Sequence, residues 1–438
     1  MAHEAHGARR ALPLVLLLAV AALAGCGREP DPAARGVTLI GIDAGDWAVI
    51  DSLTAAGRMP RLAALERQGT AGVNMSFLPL QKSPVIWASM ATGLDPRRHG
   101  IAGFLSADGR RLADSSDWRA PAVWDIAGAA GRTSCVIGWW ATYPARDIAG
   151  VMVSNFWSYT PAGARPADGM VRPDSLRAAL AALVVPVAAV GDDTLARFLD
   201  LDRLARSGHD HAEDLAELRA VIAGDLTYTR QACWLAEHGR FDLFALYLRG
   251  VDVVCHRFWR YMEPDKSPVP LDADAIAALR RVVPEYYVFT DSLVGAVLDR
   301  FPPERQVIVV SDHGFHGPRH RKRGWTLGTE EHRPQGIFLV RSPLYAAGHR
   351  FERMEILDVT PTLLALLGLP ASAEMPGHIL RAGLTGGGQR LVERLEKHRV
   401  ASYAPLAPAR ADSAAADTAG HGVDAALKRQ LRSLGYIH

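Results

Sequence analysis

The run Val307-Ile308-Val309-Val310-Ser311-Asp312-His313-Gly314 constrains this chain more than any other stretch. Four apolar, mostly β-branched residues make a short buried strand. The strand leads directly into Ser-Asp-His-Gly, where the chain must turn. In open α/β sheets, ligands collect at the carboxyl ends of strands. An adjacent Asp312 and His313 at such an end can offer oxygen and imidazole to one cation, or can simply cap a turn.

Other strands end in matching groups. Val37-Thr38-Leu39-Ile40-Gly41-Ile42-Asp43 is an apolar run closed by a carboxylate, with Gly45 allowing a tight turn behind it. By itself Asp43 would be read as a helix N-cap or a turn former. Phe241 to Leu248 is a third core strand, leading into Arg249-Gly250-Val251-Asp252-Val253-Val254-Cys255-His256. Asp252 and His256 are four residues apart, so a helical turn there would point both to one side. A carboxylate beside an imidazole suits a divalent cation. Glu331-His332-Arg333-Pro334-Gln335-Gly336 precedes the apolar strand Ile337 to Val340, and from there the His332 side chain can reach back over the strand ends.

Between the strands lie helical patterns. Met59-Pro60-Arg61-Leu62 opens one, with Pro in the first turn and Gly69 at its close. Lys82-Ser83-Pro84-Val85-Ile86-Trp87 opens another, which Gly93 would cap. Ser83 then sits at a helix N-terminus, where unpaired N–H groups and the dipole favour an anion. A hydroxyl in this place serves as an N-cap or as a nucleophile activated by a metal. Thr360-Pro361-Thr362-Leu363-Leu364 starts a structural helix, with Thr360 as N-cap and Gly368 past its end. Trp139, Trp140, Trp157 and Tyr159 either wall a substrate pocket or pack the core. Residues 160–235 change to Ala-, Arg- and Asp-rich helical patterns, a helical insertion that could cap the site. His209-Asp210-His211 within it could bind metal, but no apolar strand delivers it, and a solvated helix face is the plainer reading. Arg319, Arg321, Lys322 and Arg323 make a solvated loop or a positive rim. From about 384 to 425 there is little strand signal, and Leu431 to Tyr436 should dock a short helix.

A chain of 438 residues can bury a large core, and its formal net charge of +2 gives no reason to expect a nucleic-acid partner. The first residues are a targeting segment: Arg9 and Arg10, then the apolar Leu12 to Leu23, too short to span a bilayer comfortably. Leu23-Ala24-Gly25-Cys26 resembles a bacterial lipobox. That resemblance implies cleavage before Cys26 and its lipidation. Gly27 gives no inner-membrane retention signal, so a lipid-anchored envelope protein facing the periplasm from the outer membrane is expected. The organisation is then a signal peptide over 1–25, a tether over 26–36, a catalytic domain over 37–380 and an extension over 381–438. The remaining cysteines, Cys135, Cys233 and Cys255, are too widely spaced for a zinc knuckle and allow one disulfide or three buried thiols.

Taken in order, these pieces resemble the alkaline phosphatase superfamily, and within it the type I phosphodiesterase and nucleotide pyrophosphatase group, over about residues 37 to 375. The resemblance rests on Gly41-Ile42-Asp43, Lys82-Ser83, Thr92-Gly93 followed by His99-Gly100, the Asp252 to His256 spacing, Ser311-Asp312-His313-Gly314, His332, and Thr360 to Leu364. It implies an α/β fold with a central, mostly parallel sheet flanked by helices on both faces. It implies that Asp43, Asp312 and His313, with the oxygen of Ser83, hold one divalent ion. Asp252, His256 and His332 would hold a second. Zinc is the usual metal there and manganese the alternative. Ser83 would be the nucleophile and form a phosphoserine, which water then hydrolyses.

One departure stands out. Pyrophosphatases of this group carry an Asn three residues after the nucleophile, to bind a phosphate oxygen, and here that position is Ile86. Backbone N–H groups at the helix start, Lys82 or an Arg would have to take over. The expectation is a phosphoester hydrolase acting on a small-molecule ester. The rivals are a phosphotransferase moving a phosphoryl or phosphoethanolamine group to an alcohol, and a non-catalytic envelope lipoprotein that keeps the fold. A sulfatase would need a Cys or Ser followed by x-Pro-x-Arg, and Pro84 and Trp87 stand in the wrong places for it.

Overall fold

Apolar side chains alternate between two layers along the central strands. Val37 and Leu39 join one buried cluster and Ile40 and Ile42 the other. Leu243, Ala245, Ile308 and Val310 follow the first pair, and Phe244, Leu246, Val307 and Val309 the second. Strands buried on both faces read as continuous apolar runs, which is how these segments appear in the sequence. The computed structural model describes residues 35–159, 166–318, 320–321, 324–325, 328–408, 427–429 and 431–432. The leader, Cys26, most of the tether, Arg319, Lys322 and Arg323 lie outside the described residues.

Nine strands form one sheet: β1 (Val37–Ile42), β2 (Thr70–Met75), β3 (Ser134–Ile137), β4 (Gly150–Val153), β5 (Val171–Arg172), β6 (Leu243–Leu248), β7 (Gln306–Val310), β8 (Gln335–Arg341) and β9 (His349–Glu355). Their order across the sheet is β9-β2-β8-β7-β1-β6-β3-β4-β5. Only β8 and β5 run against their neighbours. β1 lies parallel between β6 and β7, so residues 43, 249 and 311 leave the middle of the sheet side by side at the carboxyl ends of the strands.

Helices cover both faces. On one lie α1 (Trp47–Ala55), α2 (Pro60–Gln68), α5 (Ala212–His238), α6 (Gly250–Met262) and α7 (Val282–Leu298). On the other lie α3 (Ser83–Thr92), α4 (Val123–Ala129) and α8 (Val359–Leu366). α9 (Gly386–Lys397) follows and packs Leu391, Val392 and Leu395 against Ala365 and Ile379. Each buried aliphatic side chain of this kind contributes on the order of 1.5–3 kcal/mol relative to exposure, so the two apolar layers fix the sheet between its helices. Leu427 and Leu431, both buried, bring the described C-terminal residues back onto the first layer.

Two expectations, on Thr360 and on the turn after β1, are corrected, and several open alternatives are decided. Thr360 is not the cap of α8: the N-cap position is Asp358, and the Thr360 hydroxyl donates inside the core to the Met90 carbonyl. The left-handed backbone after β1 falls on Ala44 (φ 57°), not on Gly45. Gly45 lies close to the next strand end instead: its N–H donates to Ser311 Oγ at 2.8 Å, and a Cβ would crowd Ser311 and Ile337 at 3.2 and 3.4 Å. The 160–235 region contributes more than helices, since β5 completes the sheet edge, and α5 packs against β3 and β6. His209 and Asp210 are exposed, and His211 is spent on Ser207 Oγ at 3.0 Å. Trp139 is core, edge-on to Trp87 at 5.1 Å. All three described cysteines are free thiols.

Candidate active site

Each expected site residue is delivered by an element whose geometry follows from local sequence. Asp43 leaves the end of β1 and Asp312 and His313 the end of β7. Gly250 to Met262 is helical, so Asp252 and His256 stand one turn apart at its start. His332 lies on a two-residue strand, His332–Arg333, that pairs antiparallel with Gly314–Phe315. A Cβ at Gly314 would press on Asp46 Oδ2 and the Gln335 carbonyl, so only glycine lets this pairing close. The structure brings all seven residues (Asp43, Ser83, Asp252, His256, Asp312, His313 and His332) into one buried cluster.

The Ser83 hydroxyl does not cap its helix. Lys82 occupies the N-cap position, and Ser83 Oγ lies 3.2 Å from His313 Nε2. The helix start is also a poor anion cradle. Pro84 has no N–H, and the N–H groups of Val85 and Ile86 both point at the Lys82 carbonyl, at 2.9 and 3.3 Å. The N–H groups of Val85 and Ile86 are therefore not open to a substrate oxygen. Ile86 is fully buried in the apolar layer beneath. Lys82 is exposed beside Ser83.

The first half of the cluster is short of hydrogen. His313 Nδ1 faces the Gly314 carbonyl at 3.1 Å, an acceptor only, so Nδ1 carries the ring proton and Nε2 presents a lone pair. That nitrogen lies 3.3 Å from Asp43 Oδ1 and 3.3 Å from Asp312 Oδ2. Neither oxygen has a hydrogen-bond donor among the described residues. Three acceptors converging in a dry site is costly unless a proton or a cation joins them. The titration behaviour says the same. Burial pushes the Asp312 carboxyl up to about 8, with the Asp252 charge adding to it. Burial, then Asp312 and Asp252, hold Asp43 well above the usual carboxylate range. Burial and the neighbouring His332 ring keep His313 neutral, well below its ordinary value.

The second half centres on Asp252 Oδ1. His332 Nε2 is 3.1 Å from it and His256 Nε2 3.4 Å. The two ring nitrogens are 2.9 Å apart. Burial opposes a charge on His256, but the carboxylates of Asp252 and Glu331 outweigh it and raise its pKa to about 9. A proton thus holds the place that a cation would take. The His313 and His332 rings stack at 3.8 Å and join the two halves. Asp43, Asp312 and His313 are near enough to share one ion, as are Asp252, His313 and His332. The donor set of carboxylates and imidazoles fits a divalent metal.

Sequence reasoning missed three supporting residues. Tyr247, on β6, donates its hydroxyl hydrogen to Asp43 Oδ2. Glu331 Oε2 lies 2.6 Å from His256 Nδ1. Asp46 accepts from Ala48 N and Phe315 N and pairs with Arg333, tying the β1 turn to the segment bearing His332. The only hint in the sequence is proximity: Asp46 follows Asp43 by three residues and Glu331 precedes His332.

The chain is similar to known proteins in family and in fold. The family model for type I phosphodiesterase / nucleotide pyrophosphatase matches residues 37–328. No curated protein sequence matches the chain. Among solved structures, a putative sulfatase from Bacteroides thetaiotaomicron shares the fold at a TM-score of 0.50 and 12% identity, over 79% of this chain and 73% of that one. Murine ectonucleotide pyrophosphatase/phosphodiesterase 5 aligns at a TM-score of 0.43 and 14% identity, over 79% of this chain and 97% of that one. A phosphonate monoester hydrolase from Silicibacter pomeroyi aligns at 0.45 and 16%, over 80% and 76%. A mostly parallel sheet with Asp and His side chains gathered at its strand ends, together with the family match, makes this chain a phosphoester hydrolase of the phosphodiesterase/pyrophosphatase type. It belongs to the type I phosphodiesterase / nucleotide pyrophosphatase family.

Proposed function

We propose that the protein cleaves a small-molecule phosphoester through a phosphoserine formed on Ser83, at a site that holds two divalent ions, zinc first and manganese second. The observation that carries this reading is the placement of Ser83 Oγ 3.2 Å from His313 Nε2, whose lone pair also faces the donorless oxygens of Asp43 and Asp312. A hydroxyl opening onto uncompensated acceptors is arranged for attack, and an N-cap has no use for them.

Asp43, Asp312, His313 and Ser83 would hold one ion and Asp252, His256 and His332 the other. Ions bound there supply positive charge that favours the deprotonated Ser83 oxygen and balances charge on the phosphoryl oxygens. Ser83 Oγ forms a bond to phosphorus as the bond to the leaving oxygen breaks, in line on the far side. The leaving oxygen takes that bond's electron pair and gains a proton equivalent to the one Ser83 gives up, so that it departs as the alcohol. Water then hydrolyses the phosphoserine and restores the hydroxyl. Burial of the carboxylates and rings fixes the geometry before substrate arrives. Lys82, exposed next to Ser83, is the residue we assign to a phosphate oxygen in place of the missing Asn.

The Leu23-Ala24-Gly25-Cys26 sequence behind an apolar run supports a lipid anchor on Cys26 in the cell envelope. Loss of the protein from the membrane fraction on Cys26→Ser tests that placement.

The enzymatic reading is tested by metal content, measured by mass spectrometry on the chain without its lipid. The same sample is assayed on a bis-aryl phosphate diester, an aryl monoester and an aryl sulfate. Two metals per chain with diester cleavage and no sulfate cleavage is the expected result. Two metals with phosphoryl transfer to an added alcohol, and no hydrolysis, would favour a transferase. Absence of metal and of turnover would overturn the proposal.

A further inference from the structure

We infer that Glu331 is a positioning residue for the second half of the metal site: it sets the ring of His256 so that Nε2 faces Asp252 and His332. The inference rests on the ion-binding reading above and goes beyond it to a residue that coordinates nothing.

Glu331 is 5% exposed and its Oε2 lies 2.6 Å from His256 Nδ1. A carboxylate can only accept here, so the ring hydrogen belongs on Nδ1. Nε2 is thereby the nitrogen left for a ligand, and it already points at the Asp252 and His332 atoms, 3.4 and 2.9 Å away. Phe315 stands edge-on to the same ring, with centroids 4.9 Å apart at 87°. The ring is held by packing on one side and by a charged acceptor on the other. A His that could turn over would offer Nδ1 half the time and lose the convergence on Asp252.

Glu331 and His332 are consecutive, so a single short segment places a ligand and orients a second one on a different element. The segment is itself anchored. The Glu331 carbonyl accepts from His316 N at 3.0 Å, and His332–Arg333 pairs with Gly314–Phe315. When this segment docks, the outer acceptor for His256 and the ligand His332 arrive together.

The test uses the full chain, stripped of metal and titrated with Co2+ alone, its visible absorbance followed for wild type, Glu331→Gln and Glu331→Ala. Thermal unfolding of each metal-free variant is recorded alongside. One of the two binding steps is expected to weaken about 10–100-fold in Glu331→Ala, as loss of an outer partner does at other metal sites, with the other step unchanged. Glu331→Gln keeps a neutral acceptor and should fall between. Two wild-type-like binding steps in Glu331→Ala would overturn the inference and leave the metal site standing. Equal weakening of both steps with a lowered melting temperature would also overturn it, because that is the mark of a merely structural residue. No cobalt bound by wild type would overturn the ion-binding reading itself, and the inference with it.

Discussion

Tyr247 and Asp43 form a relay at the end of two adjacent strands. The Tyr247 hydroxyl donates to Asp43 Oδ2 and accepts from Trp140 Nε1 at 2.8 Å. With Oδ2 occupied, Asp43 turns Oδ1 toward His313 Nε2. Tyr247 is fixed by its own packing, edge-on to Trp87 at 4.9 Å. Tyr247→Phe should keep the packing and lose the donor. The affinity of the Asp43 half of the site is then expected to drop by about 10–100-fold, read by metal titration. The metal-free protein should also lose about 1–3 kcal/mol, because Asp43 Oδ2 and Trp140 Nε1 both lose their partner.

Removing the nucleophile separates chemistry from assembly. Ser83→Ala deletes one oxygen at a buried position that caps nothing. Turnover should fall on the order of 10³-fold or more, while metal content and melting temperature stay close to wild type. Wild-type turnover in this variant would remove Ser83 from the mechanism.

Metal binding should release protons. In the metal-free chain Asp312, at about 8, and His256, at about 9, are both protonated at pH 7. A metal needs the deprotonated forms. Adding Zn2+ to chelator-treated protein in weak buffer at pH 7 is expected to acidify the solution, with affinity rising from pH 6 to 9.

Asp312 and His256, with Asp43 acting in the same direction, make the metal-free fold pH-dependent. Asp312 titrates at about 8 folded against an ordinary 3.8, so the folded chain holds a proton that the unfolded chain has lost in that window. His256 is raised from 6.5 to about 9, with the same sign. Their net contribution to stability is therefore lost as pH rises, through about 4 to 8 for Asp312 and about 6.5 to 9 for His256. Melting temperature of the chelated protein should fall from pH 6 to 9. Added metal should restore most at the alkaline end.

Placing at position 86 the Asn that the family resemblance implies should not create a phosphate contact. Ile86 is fully buried among apolar side chains, so Ile86→Asn loses that packing and buries an amide. A destabilisation of about 2–4 kcal/mol is expected from denaturant unfolding. Nucleotide turnover should not improve.

Most of the scaffold was legible in the sequence because its signals are local. Val307 to Val310 and Val37 to Ile42 are apolar on both faces, which suits only a strand between two helical layers. Pro60 and Gly69 bracket α2, and Gly93 closes α3 in the left-handed conformation at φ 68°. The Asp252 to His256 spacing declared its shared face because a helical turn repeats every 3.6 residues. Thr360 was misplaced as a cap because a hydroxyl signals a helix start equally well from inside one, and only the Met90 carbonyl across the packed layer claimed it.

The sequence by itself determined which residues could ligate and which strand or helix end carries each one, since composition and periodicity act over a few neighbours. Tertiary structure alone decided which atoms meet. Tyr247 reaches Asp43 across 204 positions, and Glu331 reaches His256 across 75. Sheet order placed β1 between β6 and β7 and so set Asp43 beside both partners. The packing of α3 against the sheet also decided that the hydroxyl of Ser83 meets His313, 230 positions away. Such pairings depend on which elements pack together, and no local pattern encodes that.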